Sequence, residues 1–151
     1  MKRLVTVLAA LLAVSPALAD ERGKELEAVM REYVRLWNAG DAAAITSRIY
    51  RFEGPNAMGT PAGLSAEFKR LKGQGYDHSE TASIEGCLLS ASVGFAELRY
   101  SRIKTDGTPM PPKDRSTLYM LRKFPEGWRI TQMIGMGAGS DLTCRSFTEA
   151  P

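Results

Sequence analysis

The chain has 151 residues, 44% of them apolar, 25% charged and 8% aromatic, the balance of one ordinary globular domain. This excludes a wholly disordered chain, a collagen-like repeat and a disulfide-dense miniprotein. The formal charge is +3, but setting aside Lys2 and Arg3 of the leader leaves 18 basic residues against 17 acidic ones, with no basic run to hold nucleic acid.

Lys2 and Arg3 open the chain. An apolar run follows from Leu4 to Val14, broken by Thr6, and Ser15-Pro16 end it. Ala17-Leu18-Ala19 then gives the small-x-small pattern that signal peptidase cuts. The pattern predicts a signal peptide over residues 1–19 with cleavage before Asp20. The run is shorter than the ~20 residues of a bilayer anchor, and no cysteine follows the cut to carry a lipid. The mature protein is expected to be soluble, periplasmic or secreted from a bacterium, with no membrane contact once the leader is removed.

The mature chain predicts one domain over residues 20–137 and a tail over 138–151. Glu25 to Asn38 reads as a helix, because Leu26, Val29, Met30, Tyr33, Leu36 and Trp37 recur at three- and four-residue steps. Gly40 suits the left-handed residue that closes it, and Asp41 the N-cap of a second helix that carries Ile45 and Ile49 inward and ends near Tyr50. Arg51 to Gly63, with Pro55, Pro61 and three glycines, reads as a loop with a short strand near Phe52. Leu64 to Gln74 is helical again, with Leu64, Phe68 and Leu71 in register.

The period then changes. Ser79–Leu89 and Val93–Ile103 read as strands, the second placing Gly94, Ala96, Leu98 and Tyr100 on one face. Both faces of that strand carry apolar residues, so its inward side stays open. Thr105–Asp114, with Asp106-Gly107 and three prolines, is a long hairpin loop. Ser116–Phe124 and Trp128–Met136 form a last hairpin about Pro125-Glu126-Gly127. Helices followed by hairpin-linked strands make an α+β domain. Its sheet curves round the long first helix, with Gly86, Gly94 and Gly135 permitting the bend.

Cys87 and Cys144 are the two cysteines. In an oxidising compartment an even count reads as one disulfide pinning the tail to a middle strand. The alternative is two separate thiols. No metal site is expected, since two cysteines with no histidine nearby are not a ligand set.

The run from Met30 to Asp41, Met-Arg-Glu-Tyr-Val-Arg-Leu-Trp-Asn-Ala-Gly-Asp, resembles the opening of the nuclear transport factor 2-like superfamily, in particular its SnoaL-like and ketosteroid-isomerase-like members. The run from Arg122 to Ile130, Arg-Lys-Phe-Pro-Glu-Gly-Trp-Arg-Ile, resembles their penultimate hairpin. The resemblance spans roughly Lys24 to Met136. It implies a cone-shaped roll, also called cystatin-like: a curved, mainly antiparallel sheet wrapped around the N-terminal helices, holding an apolar pocket open at one end. Members serve as enzymes, as ligand binders or as dimeric scaffolds, so the fold alone does not assign a function.

Ketosteroid isomerases carry an oxyanion-hole tyrosine where this chain has Tyr33. Their base, an aspartate just before a proline, meets Gly54 here, with Glu53 one residue early. On a strand that shift points to the opposite face. Their late-strand acid falls at Thr117-Leu118-Tyr119, where Tyr119 could donate instead. Asp77 and His78 form a second acid–base candidate, although neighbours on a strand face opposite ways. Glu85 and Glu97 read as strand carboxylates paired with Arg99 or Arg102. Tyr33, Trp37, Tyr50, Tyr119, Trp128 and Met133 are the candidate ligand-binding residues.

The chain therefore reads as an exported pocket protein for a small apolar or aromatic molecule, with no cofactor. Two alternatives stand: a module that dimerises through its outer sheet face, or an isomerase-, dehydratase- or cyclase-type enzyme using Tyr33 with Glu53, Asp77 or His78.

Overall fold

The computed structural model describes residues 16–136 and 143–147. Residues 1–15 of the predicted leader, and the predicted tail apart from 143–147, lie outside the described residues.

Helix α1 spans Pro16–Ala39. It extends further towards the N-terminus than its apolar stripe predicts, because glutamate, arginine and lysine are good helix formers that carry no apolar signal. Leu26, Met30, Tyr33, Leu36 and Trp37 are all buried, so the stripe is the face turned to the core. Gly40, at φ 67°, ends the helix in the left-handed region, and the amide of Asp41 returns to the Leu36 carbonyl at 3.0 Å.

The next turn differs from the expected α-helix. The Asp41 carboxylate caps α2 (Ala42–Ala44), accepting from the Ala44 amide at 2.9 Å. From there Ile45–Ile49 form a single π turn, closed by the Tyr50 amide on the Ile45 carbonyl at 2.9 Å. The hydroxyls of Thr46 and Ser47 bond back to the carbonyls of Ala42 and Ala43, at 2.8 and 2.7 Å. The wider turn lets Ile45, Ile49 and Tyr50 all face inward. No strand forms at Phe52; the backbone makes one parallel bridge, Tyr50 to Ile130. A short 3-10 turn covers Ala57–Gly59.

Helix α3 spans Pro61–Gly73, three residues earlier than the apolar register predicts. Thr60 caps it by accepting from the Gly63 amide at 3.1 Å, and Pro61 is a helix starter at its first position rather than a loop residue.

Strands β1 (Tyr76–Leu88), β2 (Val93–Lys104), β3 (Arg115–Phe124) and β4 (Gly127–Met136) form one antiparallel sheet in chain order. The pairing settles the open question of β2. Gly94, Ala96 and Leu98 lie beside Leu121, Tyr119 and Thr117 of β3, and this row packs on α1 in the main core. Phe95 and Leu118 face the other way and form a second cluster with Cys144.

Gly86 and Gly94 have a role beyond permitting curvature. A Cβ at Gly86 would lie 2.4 Å from the carbonyl oxygen of Gly23 in α1, and one at Gly94 would lie 2.6 Å from Leu26 Cδ1. The helix thus packs backbone to backbone against β1 and lays the Leu26 side chain on the β2 backbone, contacts that residues lacking a side chain allow. No Cβ clash arises at Gly135.

Cys87 and Cys144 form the expected disulfide, with Cα atoms 5.6 Å apart, a normal span. It holds the 3-10 turn Cys144–Phe147 on the outer face of the sheet. No described helix is long and apolar enough to cross a membrane.

Candidate functional site

The last helical turns of α1 and the inward row of the sheet enclose a half-open cavity of about 180 Å³. Tyr33, Val34 and Trp37 line it from α1, and Met58 and Glu67 from the segment around α3. Ser79, Leu98, Tyr100, Arg102, Thr117, Tyr119 and Met133 line it from the four strands. An apolar cavity of roughly 150 Å³ accepts benzene, so the space suits one or two rings.

Its position follows from the motif that ends α1. The side-chain amide of Asn38 donates to the Ser79 carbonyl at 3.0 Å, and its oxygen accepts from the Ser79 amide at 2.9 Å and from the Tyr76 hydroxyl at 3.2 Å. Asn38 thereby docks the end of α1 on β1, with Tyr33 and Trp37 facing the sheet. Trp37 is held edge-on by Phe68 of α3, ring centres 4.9 Å apart.

Three buried tyrosines meet at the wall. The Tyr50 hydroxyl donates to the Tyr33 hydroxyl at 3.0 Å, and the Tyr33 and Tyr119 rings pack edge to face at 5.4 Å. Burial first, and then the adjoining phenols, lift the Tyr33 and Tyr119 hydroxyls well above the usual tyrosine range; burial likewise raises Tyr50. They are hydrogen-bonding groups at neutral pH, not phenolates. Tyr50 lies behind the cavity wall rather than in it, bonded to Tyr33 and within 3.9 Å of the Met133 sulfur.

The carboxylate in the lining is Glu67. Both of its oxygens take hydrogen bonds from Arg70, at 2.7 and 2.6 Å, and this pairing pulls its pKa below the usual range. Arg102 faces the same space. Its Nε is shielded from solvent without a hydrogen-bond partner among the described residues, as is the Nε of Arg115 beside it. A buried donor left unmatched costs about 1–3 kcal/mol. Burial, then the Arg102 charge, lowers the Arg115 pKa.

The remaining sequence candidates lie elsewhere. Glu53 is exposed and pairs with Arg122 at 2.5 Å. Asp77 and His78 do meet, Oδ2 to Nδ1 at 2.9 Å, because a register shift between Tyr76 and His78 breaks the strand alternation. They stand outside this cavity, and the Asp77 hydrogen bond raises the His78 pKa. Trp128 does not line the cavity and gives its indole N–H to Glu25 at 2.8 Å. Glu97 is buried on the outer face and pairs with Arg99 at 2.6 Å, whereas Glu85 lies opposite Glu97. Glu85 also comes close to Cys87 and Cys144, but sulfurs bonded to each other offer no thiolate to a metal.

Arg102, Glu67, Ser79, Thr117 and Met58 are cavity residues that the sequence does not mark as ligand-binding. Continuing the alternation of β2 from Leu98 through Tyr100 would have reached Arg102. Nothing in the pattern of α3 marks Glu67.

A curved antiparallel sheet closed by an N-terminal helix, with a pocket between them, defines a cystatin-like α+β roll. The chain belongs to a family of NTF2-like proteins (DUF6841), matching it over residues 23–137. Solved structures agree on the fold. An NTF2-like protein with a cystatin-like fold from Novosphingobium aromaticivorans is 17% identical, with a TM-score of 0.60 over 89% of this chain and 92% of that one. A cystatin-like domain of unknown function from Nostoc punctiforme is 16% identical, with a TM-score of 0.53 over 79% of this chain and 76% of that one. A third, named as a candidate aromatic ring hydroxylase of Novosphingobium aromaticivorans, is 13% identical, with a TM-score of 0.52 over 81% and 96%. No curated protein matches the sequence.

Proposed function

We propose that this is an exported pocket protein that binds a small aromatic molecule without transforming it. The observation that carries this reading is the cavity of about 180 Å³ walled by Tyr33, Trp37, Tyr119 and Met133. Rings stack and pack there, and the phenol groups supply directional hydrogen bonds. The leader-like run before Asp20 and the Cys87–Cys144 bridge support export.

The same geometry weighs against an acid–base enzyme. Tyr33 has an oxyanion-donor position, but a base must reach the substrate proton. Glu53, Asp77 and His78 are outside the cavity. Glu67 is inside it, but its tight pairing with Arg70 and lowered pKa make it a weak proton acceptor.

Native mass spectrometry of protein purified gently from its secretory compartment tests the reading. The expected result is an adduct that is lost on denaturation, together with a change in Trp37 fluorescence when one- and two-ring aromatics are added back. A bare mass combined with no saturable fluorescence change across such a panel would overturn it. Turnover of a bound compound would move the protein to the enzyme class.

A further inference from the structure

We propose that Arg102 is an anion-binding residue of the cavity and that the ligand is an aromatic carboxylate. Its ring sits among Tyr33, Trp37 and Tyr119, and its carboxylate lies on the Arg102 guanidinium. This rests on the pocket reading above and adds the ligand's charge and chemical class.

The cavity is chemically lopsided along β2. Leu98 is level with Thr117 of β3, next to the Tyr119 row; Arg102, four residues on, is level with Ser79 of β1, roughly 13 Å further along the strand. Strand alternation turns Arg102 to the same side as Leu98 and Tyr100, and all three line the cavity. A charge facing inward is normally paired, whereas among the described residues the Arg102 Nε has no hydrogen-bond partner, and the carboxylate that feels its charge, Glu67, is already engaged. Both oxygens of Glu67 are held by Arg70, while Asp77 and Glu80 on β1 turn to His78, at 2.9 and 3.6 Å.

The neighbouring guanidinium adds positive charge instead of balancing it. Arg115 lies level with Tyr100 on β3 and gives one N–H to the Pro111 carbonyl at 2.6 Å. It does not line the cavity, so it supplies field while Arg102 supplies contact. The flat, two-oxygen edge of a carboxylate matches a guanidinium fork.

The test is calorimetric titration of the disulfide-intact mature protein with benzoate and cinnamate, and with their neutral isosteres benzamide and cinnamamide. The expected result is an acid that binds about tenfold or more tightly than its amide. Arg102→Gln should erase that preference, leave amide binding in place and keep the melting temperature unchanged or higher, since it removes an inward charge whose Nε has no hydrogen-bond partner among the described residues. Arg115→Gln should weaken acid binding by less than Arg102→Gln does. Acid and amide binding equally in the wild type would overturn the anion assignment and leave the aromatic pocket standing. A preference that survives Arg102→Gln would do the same. If none of the four compounds binds, both readings fail together.

Discussion

The buried Tyr33 hydroxyl accepts a hydrogen bond from the buried Tyr50 hydroxyl at 3.0 Å. Tyr33→Phe removes the acceptor and leaves a buried O–H without its partner. The expected loss is about 1–3 kcal/mol of folding stability in urea unfolding; a loss below about 0.5 kcal/mol would mean that Tyr50 finds another acceptor. Alkaline titration reads the same cluster. Tyr33, Tyr50, Tyr76 and Tyr119 all have pKa values raised in the folded state, mainly by burial. Their protonated forms contribute fully below the unfolded value near 10. That contribution drains away as pH climbs from there towards the folded values. Phenolate absorbance should therefore lag behind that of the urea-unfolded chain and rise together with alkaline unfolding. Free titration of all five tyrosines before any loss of structure would contradict the buried cluster. Tyr33, Trp37, Tyr119 and Met133 were legible in the sequence because large apolar side chains at helix and strand spacing are the residues that face a core. Arg102 was not, because an arginine in a strand that also carries Arg99 and Lys104 reads as solvated surface.

Among the elements, the ends of α1 and β1 are tied by one side chain. Asn38 makes three hydrogen bonds to Tyr76 and Ser79. Asn38→Ala should cost about 1–3 kcal/mol and loosen the cavity wall, seen as weaker binding of any aromatic probe. The opposite contact is backbone on backbone. Gly86→Ala would drive a methyl group onto the Gly23 carbonyl, with an expected loss of about 1–3 kcal/mol from overpacking; thermal unfolding that matches the wild type would show that α1 can step back at little cost. At the start of β1, His78 has a raised pKa because Asp77 accepts from it. Its contribution is complete below the unfolded value of about 6.5 and disappears as pH rises through the folded value. The wild type should lose a small, salt-sensitive increment of melting temperature between mildly acid and mildly alkaline pH that His78→Gln does not lose. The order of elements was readable from the change of hydrophobic period near Asp77. The π turn and the slip before His78 were not, since both insert a residue without altering composition. The start of α3 was misplaced because Pro61 breaks a helix anywhere except at its first turn.

For the whole molecule, the disulfide joins positions 57 residues apart. On the chain-entropy account it stabilises the fold by about 4 kcal/mol, chiefly by restricting the unfolded chain. Cys87→Ser with Cys144→Ser should lower stability by that order, and reduction of the wild type should have the same effect. The cavity residues are on the far side of the sheet, so aromatic binding at temperatures where the variant stays folded should persist. Loss of both together would tie the outer face to the pocket. The α+β architecture could be read from element order, and the curved roll from the resemblance at Met30–Asp41. The choice of inward face could not, because β2 has core residues on both sides: Ala96 and Leu98 on one, Phe95 and Glu97 on the other.

The bond between Trp128 and Glu25 joins residues 103 positions apart. Helix α1 is the first described element to leave the ribosome, yet its apolar stripe is covered by strands that are translated last. Local helix can form early, but the core cannot close until β4 exists, and the long loops it closes make that step slow. A chain whose core waits for its last strand is expected to stay open through most of its synthesis, the state that the proposed export would require for passage through a secretion channel.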